Sequence, residues 1–245
     1  MEPKNTISSS IKNRIETFKE GYIFTYLEFE NASKNKEAII KCLSRMADAG
    51  KLYRFSKGKY YKPIKGDLKV IGPDVNEIIK DLLEKNGEPI GYITGINVFN
   101  KAAINTPIHN KILIGRNTFK PPLYRSMYTI EFVLQRNVIT KDNIEILQVL
   151  DCLKMINKIP DTNRDNLISI IGKIIRKYNK HQIDLLIQCC LKYNSATRAL
   201  LGMILEIEKV KKGVDAIMES LNPASTYNLE LNKINRLLKD KWNIK

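Results

Sequence analysis

The sequence predicts a predominantly helical α+β protein, and three observations predict it. Apolar residues recur at helical spacing near the N-terminus and through most of residues 141–245, which predicts amphipathic helices. Stretches rich in aromatic and β-branched residues, punctuated by Gly and Pro, lie at 51–63 and 89–140 and predict short strands. Hydrophobic residues make up 43% of the 245 residues, which is enough to build cores for one or two domains.

The first predicted elements are a helix and a short second helix. A serine at 8–10 is expected to cap the first helix by accepting a bond from a free backbone N–H. The expected buried face of this helix is Ile11, Ile15 and Phe18. Thr25 and Glu28 have the spacing of a capping box, which predicts a second helix with Leu27 on its apolar face.

A third helix and a hairpin follow. The helix is expected to end at Gly50, a residue type that is typical just beyond a helix C-terminus. Its expected buried stripe is Ile39, Ile40, Leu43 and Met46. Two β-forming runs flank residues 56–58, which is the pattern of a tight hairpin. Helix, short helix, turn, helix and hairpin is the order of a winged helix-turn-helix, which we predict over residues 1–65.

Residues 66–245 are predicted to form a second domain, mixed α/β over 66–140 and helical over 141–245. The helical part carries apolar stripes at 144–156, 168–175 and 183–187. After Pro223, Ser225 or Thr226 is expected to cap a last helix. The expected apolar positions of that helix are Leu229, Ile234 and Leu237.

The charge balance favours an anionic partner. Lys and Arg number 41 against 26 Asp and Glu, a formal net charge of +15, and a field of that sign attracts nucleic acid or an anionic membrane surface. The same excess also fits an ordinary basic protein rich in Lys, Asn and Ile. No apolar run approaches the ~20 residues of a membrane span, and the first residues lack the apolar centre of a signal peptide. We therefore expect a soluble, cytoplasmic protein that does not bind membranes.

The predicted winged helix-turn-helix indicates double-stranded DNA as the partner. Its third helix must present polar and basic side chains to enter the major groove, and the hairpin reaches the backbone or the minor groove. The predicted DNA-binding residues are Lys34, Asn35, Lys36, Lys41, Ser44, Arg45, Arg54, Lys57 and Lys59. Glu37 and Asp48 dilute this positive face. A plain solvated helix face and a winged helix used for protein interaction both stay open as alternatives.

Residues 43–63 resemble the N-terminal domain of AbiEi-family antitoxins. The similarity lies in Leu43-Ser44-Arg45-Met46 and in the run from Gly50 through Arg54, Gly58 and Tyr60 to Pro63. It continues, less closely, through Gly91-Tyr92-Ile93-Thr94-Gly95, Asn105-Thr106-Pro107 and Ile112-Leu113-Ile114. A glutamine that family members often carry near the Thr-Pro element is not matched here, and the last 45 or so residues match no part of the family pattern.

This resemblance implies an antitoxin of a type IV toxin-antitoxin, or abortive-infection, system. The N-terminal domain would bind repeats in its own promoter and repress the operon, and the C-terminal domain would carry the antitoxic activity. The functional partner would be a nucleotidyltransferase-like toxin, counteracted without a stable complex. The alternative is an interaction module, or a nucleic-acid-processing enzyme of a defence system, that the winged helix targets to nucleic acid.

The sequence offers little catalytic chemistry, and we expect no enzyme activity, cofactor or metal. It has no glycine-rich phosphate loop, and the acidic residues of the helical region are expected to be solvated. Those residues are Asp142, Glu145, Asp151, Asp161 and Asp165. The four cysteines are expected to be small buried hydrophobes in a reducing compartment.

A possible antitoxin-domain site draws on polar residues of the mixed region. Its candidate residues are Tyr92, Thr94, Gly95, Arg116, Asn117 and Arg125. Arg116 and Arg125 would be its anion contacts, because planar guanidinium groups suit phosphate. The alternative is that Gly91 and Gly95 only shape a strand-to-helix turn with Thr94 as its cap. Lys173, Arg176, Lys177 and Lys180 form either a further nucleic-acid surface or a solvated face.

Overall fold

The computed structural model describes residues 6–65, 70–95, 98, 110–158, 164–231 and 233–245. With 46% helix and 16% strand, the protein has the predicted α+β composition. The chain forms two compact units, Met1–Asp81 and Leu82–Lys245. The first unit therefore extends past the domain boundary predicted at residue 65.

The first unit combines helices with small antiparallel sheets. In chain order it contains α1 (Ile7–Glu16), β1 (Ile23–Phe24), a 3-10 turn (Tyr26–Glu28), α2 (Lys36–Asp48), β2 (Tyr53–Ser56), β3 (Lys59–Tyr61), β4 (Ile64–Lys65), β5 (Val70–Ile71) and all but the last two residues of α3 (Val75–Leu83). Strands β1, β3 and β2 form one antiparallel sheet in the order β1-β3-β2, and β4 pairs with β5.

Local capping and turn residues explain where these elements begin and end. Thr6, rather than a serine at 8–10, caps α1 by accepting a bond from the Ser9 N–H. The capping box of Thr25 and Glu28 is confirmed at the 3-10 turn. The predicted hairpin is also confirmed, because Gly58 adopts a φ of 73° at the tight turn between β2 and β3.

The core of the first unit lies between α1, α2 and the β1-β3-β2 sheet. Its buried residues are Ile11, Ile15, Phe24, Phe29, Ile39, Leu43, Leu52 and Tyr60. The expectation for two neighbours was wrong: Leu27 is 67% exposed and Ile40 is 39% exposed. Ile40 lies about 100° around the helix from Ile39, so it leaves the face that Ile39 and Leu43 share.

The part of α3 that lies in the first unit bonds to the free edge of β1. The Ile23 N–H donates to Glu77 Oε2 at 3.1 Å, and Lys80 Nζ donates to the Ile23 carbonyl oxygen at 2.9 Å. The Lys80 ammonium also lies 3.8 Å from the centre of the Tyr22 ring. The unpaired backbone groups of an edge strand can pair with another chain, and here the side chains of Glu77 and Lys80 bond to them instead.

The second unit begins with strands and continues with helices. Its strands are β6 (Glu84–Lys85), β7 (Glu88–Pro89), β8 (Tyr92–Thr94), β9 (Lys111–Arg116), β10 (Leu123–Arg125) and β11 (Tyr128–Leu134). Its helices are α4 (Ile144–Lys154), α5 (Arg164–Ile175), α6 (Lys180–Cys190), α7 (Ser195–Ile207), α8 (Val214–Glu219) and α9 (Arg236–Lys241). The main sheet has the order β10-β11-β9-β8, in which β9 and β11 are parallel and the other pairs are antiparallel.

The predicted apolar stripes of the helical region are buried and form one large core. Leu147 and Leu150 of α4, Ile171 of α5 and Leu186 of α6 are all fully buried. Three of the four free cysteines, Cys152, Cys189 and Cys190, are also buried, and Cys42 is partly buried. Trp242 has no exposed surface and packs against Gly202 of α7.

The prediction of a last helix through Leu229, Ile234 and Leu237 was wrong. Tyr227, Leu229 and Leu231 are buried in a non-helical segment, in which Glu230 has a φ of 48° and Tyr227 pairs with Ile244 in an isolated bridge. The N–H groups of Tyr227, Leu229 and Glu230 donate to the carbonyl oxygens of Asn243 and Lys245 instead of to a preceding helical turn. The actual last helix, α9, is capped by Asn235. Among the described residues, none of the helices has the length and apolar character needed to cross a membrane.

Candidate nucleic-acid interface and buried polar network

The predicted DNA-binding residues of α2 lie on the side of the helix away from the core. Ile39 and Leu43 are buried, whereas Lys41 and Arg45, two residues further on in each case, are exposed. The Lys36 ammonium lies 5.4 Å from the centre of the Tyr26 ring, a cation–π distance that positions the start of the helix. Lys34 is exposed just before α2, and Asn35 takes the N-cap position without a side-chain capping bond.

The hairpin is bonded directly to α2. Arg54 of β2 donates to Ser44 Oγ at 2.8 Å and to Asp48 Oδ1 at 2.9 Å. This arrangement brings two predicted DNA-binding residues together, but it also pairs Arg54 with a carboxylate. Lys59 of β3 forms an ion pair with Asp81 at 2.9 Å. Lys57, at the turn of the hairpin, is exposed.

A basic groove lies along α1 and α2. It has a volume of about 420 Å³ and is lined by four cationic residues, with Cys42 between them on α2. Those residues are Lys12, Lys41, Arg45 and Lys51. No carboxylate lines the groove in the part of the chain that the structure describes. Its positive lining gives it the electrostatic character that binds phosphate.

The second unit contains a polar network buried around Asp151. The carboxylate of Asp151, on α4, is 1% exposed. Tyr92 Oη and Thr94 Oγ1 of β8 donate to Asp151 Oδ2 at 2.6 and 2.8 Å. Tyr193 Oη, between α6 and α7, donates to Asp151 Oδ1 at 2.8 Å. The expectation that Asp151 lies on a solvated face was therefore wrong.

Gln135 closes this network from the other side. Its Nε2 donates to Tyr92 Oη at 2.7 Å and to Tyr193 Oη at 2.8 Å, so both phenols accept from Gln135 and donate to Asp151. Its Oε1 accepts from the N–H and the side-chain Nδ2 of Asn137. Asn117 Nδ2 in turn donates to the carbonyl oxygen of Gln135. Buried polar groups that are all satisfied fix one arrangement of the segments that carry them.

Burial determines the protonation behaviour of the network. It raises the pKa of Asp151 above its usual range, although the hydroxyl donors and the positive charge of Lys154 oppose the shift. Burial and the nearby Asp151 carboxyl also raise the pKa of Tyr92 and of Tyr193. Both phenols therefore keep their protons and act as donors near neutral pH.

A pH-dependent stability follows from the raised pKa of Asp151. The unfolded chain loses this proton near its ordinary pKa of about 3.9, and the folded chain loses it at higher pH. The contribution of Asp151 to the free energy of unfolding is thus fully present below about pH 3.9, and it is lost as the pH rises through the pKa that Asp151 has in the folded chain. We expect the free energy of unfolding of the wild type, minus that of Asp151→Asn, to fall as the pH rises from acid to neutral.

Urea unfolding of both proteins at several pH values measures this difference. The Asn substitution removes the titrating group of Asp151. The pH dependence that all other carboxyl groups give to the free energy of unfolding is the same in both proteins and cancels in the difference. Asp142→Asn removes an exposed carboxyl just before the same helix and serves as the control variant. A difference for Asp151→Asn that grows with rising pH would refute the raised pKa.

The candidate residues of the antitoxin-domain site are not brought into one open pocket. Tyr92 and Thr94 are buried in the Asp151 network, and Gly95 follows them with a φ of 91°. The Arg116 guanidinium lies 5.9 Å from the centre of the Phe132 ring. Arg125 is at the end of β10, where it pairs with Tyr128 of β11. Asn105-Thr106-Pro107 and Asp161 lie outside the described residues.

Sequence reasoning missed Asp151, Gln135 and Tyr193 as one cluster. A signal for Asp151 is present, because it interrupts the continuous apolar run Val149-Leu150-Asp151-Cys152-Leu153 on a helix that is buried on most sides. A carboxylate in such a run is buried and needs partners. Gln135 and Tyr193 carry no comparable signal, since each lies in a short connection between elements.

Comparison with known proteins identifies a family and no further relative. A model of the family of unknown function DUF6088 matches residues 10–183, which is more than half of the chain. No curated protein and no solved structure matches the chain significantly. The matched range runs from within α1 to the start of α6, so it includes the four cations of the basic groove and Tyr92, Gln135 and Asp151 of the network, but not Tyr193. The chain belongs to DUF6088, a family whose function is unknown.

Proposed function

We propose that the first unit is a winged helix-turn-helix that binds double-stranded DNA. Its order of elements supports this: helix α1, strand β1, a short 3-10 helix, helix α2 and the β2–β3 hairpin. The bonds of Arg54 to Ser44 and Asp48 support it further, because they hold the hairpin beside the C-terminal end of α2. In this proposal α2 enters the major groove and the hairpin is the wing.

The observation that carries the proposal is the concentration of cations on the outer side of α2 and at the hairpin turn. Lys41 and Arg45 are exposed on α2 and line the basic groove, and Lys57 is exposed at the turn. Ile39 and Leu43, on the opposite side, hold the helix against the core. A rigid helix that presents cations to solvent is the arrangement that phosphate contacts and base contacts require.

Asp48 lowers the positive charge of this face, because its carboxylate pairs with Arg54. Asp48→Asn releases Arg54 from its ion pair and removes one negative charge beside the proposed DNA. We expect duplex binding to tighten by about twofold to tenfold at low salt, because an exposed ion pair is weak and a phosphate contact replaces it. Fluorescence anisotropy with a labelled duplex measures the change, and Asp142→Asn in the second unit is the matched charge control. Unchanged or weaker binding by Asp48→Asn would place the duplex away from Arg54.

We further propose that the chain is the antitoxin of a cytoplasmic type IV toxin-antitoxin system and represses its own promoter. The resemblance of residues 43–63 and 91–114 to AbiEi-family antitoxins supports this, together with the basic face of the first unit. The second unit would carry the antitoxic activity. Its functional partner would be a nucleotidyltransferase-like toxin, encoded by the neighbouring gene and counteracted without a stable complex.

A two-part experiment in cells tests this proposal. The full chain is produced with a reporter driven by the DNA upstream of its own gene, and separately with the neighbouring toxin gene. We expect the wild type to repress the reporter and to restore growth. The variant with Ala at Lys41, Arg45 and Lys57 should lose repression and still restore growth. Failure of the wild type to restore growth would refute the antitoxin role, and full repression by the variant would refute the DNA-binding face.

A further inference from the structure

A second basic cleft lies in the second unit, on the outer side of the Asp151 network. It has a volume of about 220 Å³ and three cationic side chains line it. They are Arg136, Lys154 and Lys192. All three are exposed, and they come from three separate segments: the end of the main sheet, the last turn of α4 and the α6–α7 connection. No carboxylate lines the cleft among the described residues.

The floor of this cleft is rigid. Gln135 and Tyr193 line it, are 5% and 9% exposed, and are bonded to each other at 2.8 Å. Tyr193 is fixed from below by its bond to Asp151, and the Lys154 ammonium lies 5.8 Å from the centre of the Tyr193 ring. The buried polar network therefore fixes Gln135 and Tyr193 at the floor of the cleft, and Tyr193 in turn contacts the Lys154 ammonium.

The start of α7 adds backbone donors at the edge of the cleft. Asn194 lines the cleft and caps this 13-residue helix by accepting from the Thr197 N–H. The first N–H groups of a helix have no partner within the helix, and those of Ser195 and Ala196 stand at this position. Helix starts of this kind favour anions. Even with the Asp151 carboxylate ionised beneath the floor, three cations leave the cleft positive.

We propose that this cleft binds a phosphate group, either that of inorganic phosphate or the terminal phosphate monoester of a nucleic acid. Its volume of about 220 Å³ is below the roughly 300 Å³ at which pockets for drug-sized ligands begin, so it admits a phosphate group rather than a whole nucleotide. Arg136 supplies a planar fork that suits two phosphate oxygens, and Lys154 and Lys192 supply point charges. The proposal is independent of DNA binding by the first unit.

Nuclear magnetic resonance of the full, 15N-labelled chain tests the site with inorganic phosphate as the probe. We expect saturable shifts at the amides of 134–136 and 192–196, with a Kd on the order of 1 mM or tighter. Arg136→Gln combined with Lys192→Gln should weaken phosphate binding by about tenfold or more, because two charged contacts are lost. Both side chains are exposed, so the variant keeps its fold and its amide spectrum reports that directly.

The control variant and two further probes make the outcome decisive. Lys173→Gln combined with Lys177→Gln removes the same charge from exposed positions and should bind phosphate as the wild type does. A 5′-phosphorylated trinucleotide that binds more tightly than both phosphate and its 5′-hydroxyl counterpart would assign the site to a nucleic-acid end. Equal binding of phosphate and the phosphorylated trinucleotide would assign it to the free anion. Absence of saturable shifts, or equal weakening in both variants, would overturn the proposal.

Discussion

Alanine at Lys41, Arg45 and Lys57 together is expected to weaken duplex DNA binding by about 100-fold or more at physiological salt. The three side chains are exposed on α2 and at the hairpin turn, and two of them line the basic groove. Each lost phosphate contact lowers the slope of log K against log salt by about 0.9, so the slope should fall by nearly 3. Fluorescence anisotropy over a range of salt concentrations measures both quantities.

A matched variant separates this effect from the loss of net charge. Alanine at Lys173, Lys177 and Lys180 removes three exposed lysines of the second unit and the same charge. We expect its DNA affinity to stay within about threefold of the wild type, because the proposal places no phosphate contact at these lysines and exposed charges without a direct contact are screened by salt. Equal weakening in both variants would contradict the assignment of the DNA contacts to α2 and the hairpin turn, and would favour the alternative that Lys173, Lys177 and Lys180 extend a nucleic-acid surface.

Trp242→Ala is expected to lower the free energy of unfolding by about 3–5 kcal/mol. The indole has no exposed surface, and its Nε1 donates to Glu206 Oε2 at 3.1 Å. It packs so closely on Gly202 that a Cβ added there would lie 2.1 Å from the indole Cη2. Urea unfolding measures the loss, which should be much smaller for Trp242→Phe because part of the ring volume is kept.

A double-mutant cycle tests the packing of Trp242 on Gly202 directly. In the wild type, Gly202→Ala should cost about 1–3 kcal/mol, because the methyl group overlaps the indole. In the Trp242→Ala background the same substitution should cost far less, since the methyl group enters the vacated space. Additive effects in the cycle would contradict the close approach.

The N-terminal elements could be predicted from the sequence because their signals are local. Thr25 and Glu28 form a capping box within four residues, and Gly58 marks a hairpin turn that tolerates a positive φ. Leu52 and Tyr60, on either side of that turn, are both buried. The DNA-binding residues stay a prediction, because exposure and charge do not establish a ligand.

The buried network could not be predicted because it depends on contacts between distant segments. Asp151 meets Thr94 across a sequence separation of 57 residues and Tyr193 across 42. Helical periodicity shows which side of α4 is apolar, but it does not show that a sheet and a connection cover Asp151 as well. The second basic cleft could not be predicted for the same reason, since its cations come from three segments, whereas the sequence suggested Arg116 and Arg125 as anion contacts.

The prediction for the C-terminal segment failed because its apolar spacing fits a helix, whereas its backbone bonds are long-range. Leu229 and Leu237 fit a helical pattern when read with Ile234, yet Tyr227, Leu229 and Leu231 are buried outside any helix. The N–H groups of Tyr227, Leu229 and Glu230 donate to the carbonyl oxygens of Asn243 and Lys245. Trp242, just before these acceptors, lies in the core, which no local pattern indicated.

Binding of the full chain to the duplex immediately upstream of its own gene, compared with a shuffled duplex of equal composition, tests the central proposal most directly. At about 150 mM salt we expect a Kd of about 10 nM or tighter for the upstream duplex and binding at least about 1,000-fold weaker for the shuffled one. Log K for both should fall linearly with log salt. Equal affinities would mean that charge alone drives the interaction, and no binding at about 50 mM salt would contradict a DNA-binding first unit.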